Sequence, residues 1–333
     1  MYNFVLTCLL VFCAAVTAYW YKFVYLSLLV FCAATLASMM AFYYVYVPFA
    51  YRRRLAKVLG LTPAELSSVV ISYKQIAIAK KTGGKRTIHI PNERLKAIQR
   101  RILNRILYEE QVHKYAHGFR KYHSIVDNAR PHCNRAVVIK LDVRNFFPSI
   151  GAGKVNKLFE KQGWDSWASN KLAEICCYEG ALPQGAPTSP AISNILFYKL
   201  DAKFSQLAWA YKSRYTRYAD DLTFSLAEDK PEHVRAIIKI TQRILEKDGF
   251  RLNFKKSKIQ VLRRHQSQRI CGITVNNKTP TLSRKTRRKL RSIRHRLENE
   301  KSATMTMKQL EGWESFNRMI ENDVNRESPF SKK

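Results

Sequence analysis

Three carboxylates in two separate segments carry the strongest chemical signal in this 333-residue chain. The run Val138-Ile139-Lys140-Leu141-Asp142 is apolar apart from Lys140 and ends on a charge, as a buried strand does when it delivers a side chain to its tip. Tyr218-Ala219-Asp220-Asp221 places two more carboxylates in a short turn between apolar flanks, the pattern of a β-hairpin. Between them, Leu182-Pro183-Gln184-Gly185-Ala186-Pro187-Thr188-Ser189-Pro190 reads as a rigid loop opening a helix. An Asp-Asp pair alone in a turn is ordinary turn chemistry. A strand tip facing a hairpin turn is different, because it can bring Asp142, Asp220 and Asp221 within a few ångströms of one another. Carboxylates that close repel unless cations neutralise them, and hard oxygen donors with phosphate co-ligands select Mg²⁺. Two such ions would activate a primer 3′-hydroxyl and stabilise leaving pyrophosphate in an in-line displacement, which is nucleotidyl transfer.

The elements needed to position these groups are legible as periodicity and punctuation. Residues 80–86 read as a basic turn entering a strand over 87–90 that Pro91 halts, and a helix is expected over 93–111. A buried strand is expected over 135–141, a helix over 189–211, two strands over 214–218 and 222–225, and a helix over 231–248. No low-complexity linker interrupts residues 80–276, which therefore read as one mixed α/β unit, with a linker helix before it over 52–79.

In this order the three segments resemble the reverse transcriptase family over residues 80–276. Asp142 matches its first catalytic aspartate, Leu182 to Pro190 its Pro-Gln-Gly loop, and Tyr218 to Asp221 its Tyr-x-Asp-Asp hairpin. The resemblance implies a right-hand polymerase of α/β (α+β) class, with fingers and palm in residues 80–276 and a basic helical thumb in 277–333. It adds Val143 to the metal site. It makes Phe147 a gate against the ribonucleotide 2′-hydroxyl, Lys85 and Arg86 a grip on the incoming triphosphate, Gln184 a neighbour of the nucleotide sugar, and Lys256 the lysine before the thumb. Deoxynucleoside triphosphates are the implied substrates.

The segment Asn128-Ala129-Arg130-Pro131-His132 is similar to the Asn-Ala-x-x-His signature of retron reverse transcriptases. Ile270-Cys271-Gly272 stands where those proteins carry Val-Thr-Gly, and only the Gly is kept. Asn128, His132 and Gly272 become expected RNA contacts on this likeness. It further implies a structured non-coding RNA as template and primer, initiation from an internal guanosine 2′-hydroxyl, a branched RNA–DNA product (msDNA), and anti-phage defence.

Composition agrees with a polyanionic partner. The formal charge is +33, and the stretch before Arg52 has Lys22 as its only charged side chain. A helix over 284–296 sets Leu290, Ile293 and Leu297 on one side and Arg287, Arg288, Arg291 and Arg294 elsewhere, a face able to follow the phosphates of an A-form duplex. Seven cysteines without C-x-x-C spacing argue for a reducing compartment, and His113 with His117 lack a third ligand at zinc spacing.

The first 51 residues are almost uniformly apolar and split at Lys22 into two runs, each able to cross a membrane. LLVFCAA occurs twice, at 9–15 and 28–34, suggesting a duplicated helix. Two transmembrane helices over 1–51 are expected, with interfacial aromatics at Tyr19 to Tyr21 and Tyr43 to Tyr46. Arg52, Arg53 and Arg54 would hold the catalytic domain at the cytoplasmic face of a bacterial inner membrane. Ala14, Ala18, Ala33 and Ala37 offer a small-residue stripe for self-association in lipid. A cleaved signal peptide is the alternative reading, against which stands the lack of a basic stretch before the first run. Two further functional readings stay open: a defence or abortive-infection reverse transcriptase with another priming mode, and a membrane toxin for which the polymerase domain is the sensor.

Overall fold

A computed structural model of the chain describes residues 2–79, 84–255, 258–299 and 302–323. By internal contacts the chain divides into two compact units, residues 1–68 with 160–171, and residues 69–159 with 172–333.

In the first unit, α1 (Tyr2–Leu59) is one continuous helix, followed by the single turn of α2 (Pro63–Ser67). This corrects the expectation of two helices over residues 1–51. The Trp-Tyr-Lys stretch changes composition, but no Gly or Pro lies between Tyr2 and Val47 to break the backbone. Within α1, Leu10–Ala41 is a 32-residue run, long and apolar enough to cross a membrane, with a mean hydropathy of 2.1 in its most apolar 18-residue window. Leu10, Phe12, Trp20 and Phe31 are each more than half exposed. The run is about 48 Å long against a hydrocarbon core of about 30 Å. At the far end, Leu55 and Leu59 are buried. The Arg52 guanidinium stands 4.7 Å over the Trp167 ring and that of Arg54 stands 4.9 Å over Trp164, so two of the three arginines also have aromatic partners in the protein.

The second unit opens with β1 (Tyr73–Ala79), a strand where the linker was expected to be helical. It pairs antiparallel with β2 (Lys85–Pro91) over a seven-residue register from Tyr73↔Pro91 to Ala79↔Lys85, and this ladder decides the conformation. Next come α3 (Glu93–Arg105), capped by the Asn92 side chain, and α4 (Ile125–Ala129), opened by a capping box between Ser124 and Asp127. β3 (Val137–Asp142) is the buried central strand. After α5 (Ala152–Lys161) and α6 (Ser166–Cys176), the helix expected over 189–211 is two, α7 (Ser189–Leu196) and α8 (Tyr198–Ala210), interrupted at Phe197. β4 (Ser213–Tyr218), β5 (Asp221–Leu226), α9 (Pro231–Lys247) and β6 (Ile259–Arg263) complete a four-stranded antiparallel sheet of order β4-β5-β3-β6.

β7 (Arg269–Ile270) and β8 (Ile273–Thr274) form a small hairpin before α10 (Arg284–Glu298) and α11 (Met307–Asp323). Its two turn residues, Cys271 and Gly272, have φ of +48° and +85°, the left-handed pair that a two-residue hairpin turn requires. That need explains why Gly272 is kept where the rest of the triplet changes. Ile270, Ile273, Val275, Leu290, Ile293 and Leu310 share one apolar core with Val126, Ala129 and Val138, which ties the C-terminal helices to α4 and the central strand. Cys176 and Cys177 are both buried.

Candidate active site

β3 is flanked by β5 and β6, so both its edges are hydrogen-bonded and its apolar side chains are covered. Asp142 at its end is opposite Asp221 at the start of β5. Asp220 occupies the β4–β5 turn, whose carbonyl accepts from the Val143 amide at 3.0 Å. The strand tip and the turn thus meet as the sequence suggests, with Asp142, Asp220, Asp221 and Val143 in one place.

The turn is strained and braced. Ala219 has φ +57°, a conformation that costs an L-residue on the order of 1–2 kcal/mol. Arg217, fully buried, donates from Nη1 to the Ala219 carbonyl at 3.1 Å and to Asn194 Oδ1 at 3.0 Å. Its Nε and Nη2 form a two-pronged pair with Asp201 at 2.8 and 2.6 Å, and Asp201 also accepts from the Tyr215 hydroxyl. On the other side, a Cβ on Gly118 would lie 2.6 Å from the Ala219 nitrogen, so only glycine lets these backbones approach. None of Arg217, Asp201, Asn194 and Gly118 was singled out from sequence. The basic residue preceding the Tyr-x-Asp-Asp motif was the available signal.

Burial, reinforced by the charges of Asp221 and Asp142, pushes the Asp220 carboxyl up to about 6. Burial also raises Asp221, with Lys140 opposing it. Lys258 answers this negative field. Its Nζ pairs with Asp142 Oδ2, and Asn253 Nδ2 donates to Asp142 Oδ1 at 2.9 Å. Burial would lower the Lys258 ammonium, but its hydrogen bond to Asp142 and the three carboxylates outweigh that and raise it. Lys258 and Asn253 were missed as site residues, although both belong to or adjoin the lysine-rich stretch around Lys256. Lys256 itself lies outside the described residues.

Among the described residues, no three His, Cys, Asp or Glu side chains are already drawn into a metal cage. The donor set nonetheless suits Mg²⁺: all-oxygen, anionic, and destabilised by its own charge until a cation arrives. Asp142, Asp220, Asp221 and the Val143 main chain would hold it, with Lys258 giving way on Asp142. His117, by contrast, lies outside any helix, and burial lowers its imidazole to about 4, as suits a neutral core residue.

A cleft of about 840 Å³ opens over Asp142, Val143 and Asp220, and Lys85, Arg86, Phe147 and Gln184 line it too. Four of the five expected nucleotide contacts therefore face the same space as two of the three carboxylates, the fifth, Lys256, lying outside the described residues. Phe119 adds an aromatic wall, 6.2 Å from the Phe147 ring and 6.3 Å from Tyr218. The Pro-Gln-Gly loop is docked on β2: the Gln184 carbonyl accepts from the His89 amide at 2.8 Å. A Cβ on Gly185, at φ +130°, would come within 2.4 Å of the His89 carbonyl oxygen, so this loop requires glycine.

The expected RNA contacts fare differently. Asn128 and His132, expected as RNA contacts, are buried, so neither side chain presents surface to an RNA in this structure. Both ring nitrogens of His132 find partners inside the protein, whereas Asn128 is bonded through Nδ2 alone and its Oδ1 has no hydrogen-bond partner. Gly272 serves its turn. Arg287 and Arg291 are exposed on α10. Arg294, also exposed, pairs with Glu314 of α11, so part of its charge is spent within the protein.

The reverse transcriptase (RNA-dependent DNA polymerase) family profile matches residues 78–312. The chain belongs to the reverse transcriptase family. Its relatives include the retron Mx65 reverse transcriptase of Myxococcus xanthus, 36% identical over 74% of this chain and 61% of the relative. The retron Mx162 reverse transcriptase of the same organism is 34% identical over 80% and 63%. The retron Ec86 reverse transcriptase of Escherichia coli is 32% identical over 73% and 75%. This reverse transcriptase is thus of retron type, and it spans somewhat over three fifths of the length of the two myxobacterial relatives.

Proposed function

We propose that this chain is an RNA-directed DNA polymerase that extends a DNA strand on a structured RNA, using deoxynucleoside triphosphates and two Mg²⁺ ions. The observation that carries the reading is the register of Asp142 against Asp221, with Asp220 in the adjoining turn and Lys85 and Arg86 across the same cleft. When bound, the metal pair would supply Lewis acidity to the attacking hydroxyl and the leaving pyrophosphate. The protein's own part is positioning. Lys85 and Arg86 would grip the triphosphate, Gln184 would meet the sugar from a loop fixed on β2, and the Phe147 ring would fill the space of a 2′-hydroxyl. Lys258 would move from Asp142 toward phosphate as the metals enter. Primer extension on an RNA template with Mg²⁺, deoxynucleotides and purified protein tests this reading.

The similarity to retron enzymes supports a cognate non-coding RNA as template and primer, a branched msDNA product, and a part in defence. Sequencing nucleic acid that co-purifies with the protein tests it: a 2′,5′ branch supports retron priming, and its absence favours the alternative defence lineage. A second reading, membrane attachment, rests on the exposed apolar run of α1. A single crossing by one helix replaces the hairpin, with Arg52 to Arg54 marking the cytoplasmic side and the catalytic unit beyond them. Lipid is then a partner, the bacterial inner membrane the location, and pairing of α1 helices through Ala14, Ala18, Ala33 and Ala37 a route to self-association. The segment serves as anchor or as toxic effector, and growth arrest under phage challenge with an insertion-defective variant separates the two.

A further inference from the structure

The Asn-Ala-x-x-His segment is the one signature that the cleft leaves unused. His132 has no exposed surface, and each of its ring nitrogens meets a different strand of the catalytic hairpin. Nδ1 lies 2.7 Å from Ser225 Oγ on β5 and Nε2 lies 2.8 Å from Thr216 Oγ1 on β4. Thr216 donates its hydroxyl proton to the Asn128 carbonyl at 3.2 Å, so toward His132 it accepts. The proton therefore sits on Nε2, and Nδ1 accepts from Ser225. Thr216 is paired with Thr223 and Ser225 with Arg214, so the ring bridges the hairpin diagonally and opposes sliding of one strand along the other.

The other end of the segment faces the C-terminal helices. Asn128 Nδ2 donates to Cys271 Sγ at 3.5 Å, on the left-handed turn between β7 and β8. Ile270 and Ile273 on either side of that turn pack in one core with Val126 and Ala129 of α4 and with Leu290 and Ile293 of α10. Beside this buried stripe α10 carries exposed Arg287 and Arg291. An unbroken chain of packed and hydrogen-bonded groups thus runs from the basic helix to the strands that present Asp220 and Asp221.

We infer that the Asn128–His132 segment is a mount coupling the basic helix α10 to the catalytic hairpin, so that RNA seated on α10 steadies Asp220 and Asp221 with neither Asn128 nor His132 touching RNA. The inference rests on the reading of α10 as an RNA-binding surface in a polymerase. Coupling through such a chain needs contiguous groups with defined partners, and these residues provide them. Asn128 and His132 are positioning residues in this scheme, because they act through Thr216, Ser225 and Cys271.

Hydrogen exchange at residues 213–226, with and without a structured RNA bound to the full chain, tests the coupling. In the parent, RNA binding should slow exchange there. Asn128→Ala should keep RNA affinity within about twofold and keep its salt dependence, since no phosphate contact is lost. It should also lose about half or more of the RNA-induced protection. His132→Ala should lower kcat about ten- to a hundredfold while the deoxynucleotide KM stays within about threefold, as misplaced metal ligands would. His132→Gln, which can still reach Thr216, should recover part of that loss. Reduced RNA affinity with a shallower salt slope in Asn128→Ala would mean direct RNA contact and overturn the inference. So would undiminished protection. If Asn128→Ala does not fold, Cys271→Ala removes only the sulfur on the turn and decides by the same two readouts. Primer extension by the parent protein tests the polymerase reading separately.

Discussion

Replacing Arg217 by Met removes a guanidinium whose every polar contact is buried, and it separates the stability of the palm from the geometry of its catalytic turn. The partner carboxylate of Asp201 has no exposed surface and would lose both prongs of the pair, at 2.8 and 2.6 Å. Breaking a buried pair by removing one partner costs about 3–5 kcal/mol, because the remaining charge is uncompensated. For a domain of this size each kcal/mol moves the melting temperature by about 2–4 °C, so Arg217→Met should melt roughly 6–20 °C lower. Adding Asp201→Leu removes the orphaned charge, and much of the stability should return. Activity should not return, since the Ala219 carbonyl has lost its donor and the left-handed turn its brace. Thermal unfolding of the parent, both single variants and the double variant gives the stability cycle, and primer extension below all four melting temperatures gives the activity cycle. A double variant that regains both stability and parental kcat would refute the brace, as would an Arg217→Met protein that melts with the parent.

Phe147→Ala should admit ribonucleotides by opening the space beside Asp142, and unchanged sugar discrimination in single-nucleotide incorporation would remove Phe147 from the gate. Burial holds the His132 imidazole down to about 3, so the folded protein binds fewer protons than the unfolded chain between about pH 3 and the ordinary histidine value of about 6.5. Its contribution is complete above that window and is lost as pH falls through it, at up to about 1.4 kcal/mol per pH unit. Denaturant unfolding of metal-free protein should show a shallower acid loss for His132→Gln than for the parent, and parallel curves would contradict the assignment. Leu29→Arg should weaken membrane insertion of α1 by about 2.5–3.5 kcal/mol, seen as release from carbonate-washed membranes, and equal retention would count against a spanning helix.

Much of the site was legible because its parts are local. An apolar run ending in Asp142, a Tyr-x-Asp-Asp turn and a proline-stiffened loop each declare themselves within a few residues, and their order points to how they meet. The braces were not legible, because they join distant segments: Asp201 to Arg217 across α8 and β4, Gly118 to Ala219, and Asn253 and Lys258 to Asp142. Asn128 and His132 show a second limit. A polar residue that satisfies the interior and one that meets a ligand look alike in sequence, and only burial separates them. The N-terminal helix shows a third: Lys22 and its aromatic neighbours mark a change in composition, but a turn needs a backbone reason, and none is there. The strand β1 shows the converse, since its partner β2 settles a segment that local propensity leaves open.

Asp142, Asp220 and Asp221 are proposed to act as one metal-binding set within a nucleic-acid polymerase. The most direct measurement is extension of a primed RNA template with deoxynucleotides and Mg²⁺ by the parent protein and by Asp220→Asn, with RNA affinity measured alongside. The parent should extend the primer, and the variant should fall to background while binding RNA within about twofold of the parent, because the basic surface that carries affinity is untouched. Extension by Asp220→Asn at the parental rate would contradict the catalytic assignment.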